Sequence, residues 1–193
     1  MIVELNPALK VAIADADPQG SASIWLKDGK QAGVKVVRVA GDKEGRTLKK
    51  ELSDLSADVV ILDLPPQVEA LSLRAALYSV LILIPVGPSL LDIKASKLPL
   101  EVAREAIDTR PEIQVMLVPT RVRDNTAAGR EIRDVLATMG RVSTATIRLR
   151  QPYADSAMSG LGINRYAPGT PAYLETRQLA QEVMEILGLE VSQ

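Results

Sequence analysis

Residues 11–20 read VAIADADPQG, and residues 57–67 read ADVVILDLPPQ. In each, four or more apolar or small residues run straight into an aspartate. A short apolar run of this kind, apolar on both faces, is what a parallel strand covered by helices looks like. The aspartates Asp15, Asp17 and Asp63 then fall at strand ends, and in parallel α/β sheets the carboxyl edge of the strands is where ligands bind. A carboxylate in that position suits a Mg²⁺-linked ligand or a group that orients water in phosphoryl transfer. The other role of a single strand-end aspartate is as a helix cap or turn former.

Working outward, strands are expected over Val11–Ala14, Val34–Val39, Val59–Leu62, Val80–Val86, Gln114–Val118 and Thr144–Leu149. Helical patterns separate them: Arg46–Leu55, Val68–Tyr78, Leu91–Asp108 with a break or kink at Pro99, Thr126–Met139 stopped by Gly140, and Tyr173–Leu187 ending before Gly188. Alternation of strand and helix predicts one α/β domain over residues 1–193, a mostly parallel sheet with helices on both faces.

Composition narrows the chemistry. The chain has 193 residues, 47% of them hydrophobic and 24% charged, with a net charge of -1, so no global basic field marks it for nucleic acid or anionic lipid. It has no cysteine and no histidine, which excludes disulfides, thiol nucleophiles, His-based triads and zinc sites built on either residue. Aromatic residues are 3% and phenylalanine is absent, which argues against stacking platforms for single-stranded nucleic acid. With no long apolar run and no signal-peptide pattern, a cytoplasmic protein without membrane contact is expected.

Three segments carry a resemblance. VAIADADPQGSASIWL (11–26), ADVVILDLPPQ (57–67) and VLILIPVGPSLLDIKA (80–95) resemble, in order and rough spacing, the ParA/MinD family of deviant-Walker ATPases. They look most like the small plasmid-partition ParA proteins that lack an N-terminal DNA-binding domain. The similarity extends from Lys10 to IRLRQPYADSAMSGLGINRY (147–166). The resemblance implies a P-loop NTPase-like fold of the SIMIBI/ParA type, ATP and Mg²⁺ as cofactors, and ATP hydrolysis. It also implies a homodimer, a ParB-like or cargo adaptor partner that stimulates hydrolysis, and non-specific association with nucleoid DNA. By position, Asp17 matches the water-orienting aspartate, Asp15 its partner near the metal, and Asp63 the Walker B aspartate that reaches Mg²⁺. Pro65–Ala70 matches the segment that responds to the γ-phosphate. Pro88, Ser89 and Asp92 match the loop near the dimer interface. Pro119, Thr120 and Arg121 match the region around the adenine base. Arg148 and Arg150, in the locally basic GRVSTATIRLRQPY (140–153), match the DNA-contacting part; paired to nearby acids, they would instead form a solvated strand edge.

One departure stands out. The family holds phosphate on a K-G-G-x-G-K-[ST]-[ST] loop between its first strand and first helix, and that motif does not occur in this sequence. GDKEGRT (41–47) and DGK (28–30) read as ordinary turns. MIVELN runs into KVAIADAD at once, whereas parallel neighbours need a crossover of about a dozen residues or more. A strand over Met1–Leu5 must then form an antiparallel hairpin, lie outside the sheet or reach into a partner, with the N-terminal strand and first helix altered or missing. The flanks of a normally central part of the sheet would be exposed. Two function classes follow: a ParA-type partition or positioning protein, and a non-catalytic or truncated relative that keeps partner or DNA contacts without nucleotide. A third is an unrelated α/β enzyme with a metal site on Asp15, Asp17 and Asp63.

Overall fold

The computed structural model describes residues 1–26, 33–39, 46–65 and 69–192. GDKEGRT up to Gly45, DGK, and Pro66–Val68 of the γ-phosphate segment lie outside the described residues.

All strand pairings are parallel. β1 (Val11–Asp15) lies between β2 (Val34–Arg38) and β3 (Val59–Asp63), giving the order β2-β1-β3. β4 (Leu81–Val86), β5 (Gln114–Val122) and β6 (Ile147–Arg148) form a second sheet in that order. The expected single sheet is thus two three-stranded ones, and among the described residues no bridge joins β3 to β4.

Helices cover the sheets, and one of them packs on both. On one face, α4 (Glu69–Tyr78) packs Leu71 and Ala75 on Ala12, Ala14 and Leu62 of the first sheet. The same helix packs Leu73, Ala76 and Leu77 on Ile82 of β4 and on Val102 and Ala106 of α6 (Lys97–Thr109). α3 (Leu48–Ser53) and α7 (Ala127–Ala137) complete that side through Leu48 and Ile132. On the other face, α10 (Pro171–Ile186) lays Leu179 and Val183 on Met116 and Val118 of β5.

The expected N-terminal strand is instead one helical turn, α1 (Ile2–Leu5), outside both sheets. With no strand edge to join, the segment closes its own hydrogen bonds, Leu5 and Asn6 N–H donating to Met1 and Ile2 carbonyls at 3.0 and 2.9 Å. It buries Leu5 against Ala180 and Met184 of α10. The helix expected over Leu91–Asp108 does break, but at Ser96 rather than Pro99. α5 (Leu90–Ala95) ends there, and α6 restarts at Lys97. Pro99 then falls in the first turn of α6, where its missing N–H leaves no bond unmade. Of the strand expected over Thr144–Leu149 only Ile147–Arg148 is regular. Short helices α2 (Ser21–Leu26), α8 (Gln151–Met158) and α9 (Ile163–Tyr166) complete the chain. Among the described residues no helix is long and apolar enough to cross a membrane.

Candidate functional site

Asp15 and Asp63 end adjacent strands and are register partners. Asp15 is 1% exposed. Its carboxylate accepts the backbone N–H of Ser23 at 2.8 Å, at the start of α2, and that of Asp17 at 3.2 Å. Burial works against the charge, but the bonds from Ser23 and Asp17, helped by the Arg38 charge, outweigh it, and the Asp15 pKa lies below the ordinary value. The Ser23 hydroxyl is itself buried without a hydrogen-bond partner among the described residues, so the amide carries this contact.

Asp17 opens a tight turn. Its carbonyl accepts Gly20 N–H at 2.8 Å, and its carboxylate accepts Gln19 N–H at 2.9 Å. Gly20 has φ +65, and a Cβ there would meet the Arg38 guanidinium at 3.1 Å, so turn and neighbour both call for glycine. Arg38, from the end of β2, clamps the turn by donating to the Asp17 and Pro18 carbonyls at 3.3 and 3.0 Å. Asp63 has the opposite balance to Asp15. Burial first, then repulsion from Asp15 and Asp17, raises its pKa.

The three aspartates therefore share one sheet edge, as their spacing implied. Among the described residues, however, no three carboxylates close on a common point that could hold a metal ion. Arg38 is committed to the turn carbonyls. The described residues do not fit a nucleoside triphosphate: three carboxylates face the edge, the Arg38 cation beside Asp15 is held by the turn carbonyls, and no glycine-rich run of amides offsets them.

A second cluster forms at the carboxyl ends of β4 and β5. Ser89 caps α5, accepting Asp92 N–H at 3.0 Å and donating its hydroxyl to the Asp92 carboxylate at 2.5 Å. Arg121 donates to the other Asp92 oxygen at 2.7 Å. The Ser89 bond first, then the Arg121 charge, lowers the Asp92 pKa although burial opposes them. Arg121 sits at an irregularity between Thr120 and Val122 with φ 54, a left-handed conformation uncommon for a non-glycine residue. Gly87 leaves the room: a Cβ there would lie 2.5 Å from the Asp92 carboxylate. The structure thus joins the two segments that the sequence assigned separately to a dimer loop and an adenine region. Of the latter, the Pro119 side chain is fully buried, Thr120 is half-buried and Arg121 is exposed.

Arg148 and Arg150 converge on Glu175 of α10, itself 7% exposed. Arg148 binds Glu175 at 3.1 Å and Asp124 at 2.6 Å; Arg150 binds Glu175 at 2.8 Å. Tyr153 donates to the Ala172 carbonyl at 2.9 Å, and its pKa is pushed up to about 12, mainly by burial and also by Glu175. Burial opposes the Glu175 charge, but the two arginines lower its pKa. One heptad further along α10, buried Glu182 accepts the Ser143 hydroxyl at 2.7 Å and the Thr144 N–H at 2.9 Å. Sequence reasoning missed both acids. Their signal was their place on the apolar stripe Ala172, Glu175, Leu179, Glu182, Ile186, where an acid must have a buried partner. The Trp25 indole N–H donates to the Leu161 carbonyl at 3.0 Å.

Comparison with known proteins agrees with this fold. No family model matches the chain. A curated relative, "Maintenance of carboxysome distribution protein A" of Halothiobacillus neapolitanus, is 30% identical over 179 residues, covering 91% of this chain and 83% of that protein. A ParA family ATPase from Chlorobium tepidum superposes with a TM-score of 0.73 at 14% identity, covering 93% of this chain and 89% of that one. MinD from Aquifex aeolicus gives 0.72 at 14% identity over 95% and 87%. Apo McdA from Cyanthece gives 0.71 at 18% identity over 96% and 90%. At these identities the solved structures speak for the α/β, P-loop NTPase-like fold, while the curated relative spans nearly the whole domain. The chain belongs to the ParA/MinD family of deviant-Walker ATPases.

Proposed function

We propose that this protein positions a cargo inside the cell in the manner of ParA-class proteins, as a homodimer that meets a ParB-like or cargo adaptor and associates non-specifically with nucleoid DNA in the cytoplasm. A relative named for carboxysome distribution makes a large protein assembly a cargo to test first, alongside plasmid or chromosome partition. The observation that carries the reading is the edge built by Asp15, Asp17 and Asp63, with Asp15 and Asp63 in register. DNA contact through Arg148 and Arg150 requires phosphate to compete with Glu175, which already holds both. In the ATP-dependent form of this proposal Asp63 and Asp15 serve the metal, and Thr120 and Arg121 lie by the base.

A second reading is favoured by the lack of fit just described: a relative that keeps cargo and DNA contacts without nucleotide. Titration with a fluorescent ATP analogue and Mg²⁺ separates the two. Saturable binding at micromolar concentration, lost in Asp63→Asn, supports the ATP-dependent form. No binding, with cargo foci still redistributed when the gene is deleted, supports the nucleotide-free form. Unchanged cargo distribution in the deletion strain overturns both.

A further inference from the structure

β3 and β4 are each the end strand of their sheet, and α4, which follows β3 and precedes β4, packs on both sheets, so one edge of each strand is unpaired where α4 joins them. In a parallel ladder both backbone groups of a residue point to one neighbour, and the direction alternates along the strand. Val59 N–H donates to Lys10 and Ala16 N–H donates to Asp63, so Val59, Ile61 and Asp63 serve β1, and Val60 and Leu62 point out. Gln114 N–H donates to Val80, so the even residues of β4 serve β5, and Leu81, Leu83 and Pro85 point out. No other backbone bond of Val60, Leu62, Leu81 or Leu83 occurs among the described residues.

These edges lack the charges that protect free strands. β2, an outer edge, carries Lys35 and Arg38; β3 carries only its terminal Asp63 and β4 carries no charge. Mid-strand Ile61 and Leu83 are 45% and 41% exposed, whereas Met116 and Leu117 of the doubly flanked β5 are buried. Where β3 ends, three carboxylates gather: Asp15 and Asp63 are register partners, and Asp17 follows Asp15 by one turn residue.

We propose that the slot between β3 and β4 accepts one extended segment from another polypeptide chain, uncharged along its paired length and carrying lysine or arginine at the end that lies over the three aspartates. Added there, the strand satisfies two backbone edges at once and joins the two sheets into a single seven-stranded one. Its cationic end adds to Arg38, the cation already on the Asp17 turn, against three carboxylates. The inference needs no nucleotide, so its test is independent of the function proposed above.

The probe is a fluorescein-labelled synthetic peptide of alternating valine and threonine, five residues long, with two lysines beyond a glycine at each end. Saturable one-to-one binding is expected, with slowed amide exchange at Leu62 and Leu83. Leu83→Pro removes an outward donor from a strand that already holds Pro85 and weakens binding by about ten-fold, the worth of roughly one hydrogen bond. N-methylation of alternate peptide amides, which leaves the protein unaltered, gives the same loss. Replacing the lysines by glutamates weakens binding by at least as much, and Asp63→Asn narrows the difference between the two peptides. The proposal is overturned by absence of saturable binding to the folded protein. Binding indifferent to both N-methylation and charge reversal also overturns it. So does exchange at Leu62 and Leu83 already as slow in the free protein as at Leu117, which would mean that the edges are closed by the chain itself or by a second copy.

Discussion

Asp15 and Asp63 are register neighbours with opposite electrostatics, and this gives them opposite pH signatures. The pKa of Asp15 is lowered on folding, so its stabilising contribution is complete above the ordinary value of 3.8 and is lost as pH falls through the lower folded value. Asp15→Ala leaves the Ser23 and Asp17 amides without their acceptor and should cost about 1–3 kcal/mol at neutral pH, read as a lower urea midpoint. Asp63 is raised, so its folded form is favoured below 3.8 and disfavoured as pH rises through the higher folded value. Asp63→Asn should therefore raise the urea midpoint at pH 7, and the gain should disappear in acid. The aspartates were legible because an acid after an apolar run has few explanations. Glu175 was not, since its meaning depends on two arginines that lie 25 and 27 residues away. Glu175→Gln should cost about 1–3 kcal/mol. It should also free Arg150 and leave Arg148 held by Asp124 alone, so that non-specific DNA binding strengthens and grows steeper in its salt dependence.

Among the elements, strand positions were read well because β1, β3, β4 and β5 are apolar on both faces and leave no competing period. Boundaries were read less well where a side chain decides them. The break at Ser96 is made by a hydroxyl that donates to the Ile93 carbonyl at 2.8 Å, a local choice that the nearby proline masks. The turn of helix at Ile2–Leu5 reads as strand in isolation, since its Ile and Val favour one; only the want of an edge and the apolar stripe of α10 make it helical. That docking is testable at Met184, which is fully buried in the cluster that joins α1 to α10. Met184→Ala should cost about 2–5 kcal/mol. Amide exchange at Leu5 and Asn6 should accelerate more than in the strands.

At the scale of the whole molecule, the sequence predicted one mostly parallel sheet with the flanks of its central part exposed, whereas the structure has two three-stranded sheets with no bridge between β3 and β4 among the described residues. What the sequence did not reveal is how the halves stay together, because small residues facing each other across two helices carry no periodic mark. Ala76 of α4 and Ala106 of α6, both buried, set that approach. Ala106→Leu should overpack it at a cost of about 1–3 kcal/mol. Fluorescence of the single tryptophan, Trp25, reports the contact of α2 with Leu161 of the C-terminal half. In the variant it should follow a urea transition distinct from that of far-ultraviolet circular dichroism, whereas the two coincide in the parent protein.

The described ends of the chain also meet. Ser192 N–H donates to the Leu5 carbonyl at 2.9 Å, the Asn6 side chain donates to the Glu190 carbonyl at 3.0 Å, and Tyr173 reaches Glu4 at 2.5 Å. Seen mechanically, this is a buckle. A pull applied at the two ends opens α1 from α10 and spends its first extension there, while the strands remain slack. Force carried by a cargo through either end would reach the aspartate edge only after that buckle had released.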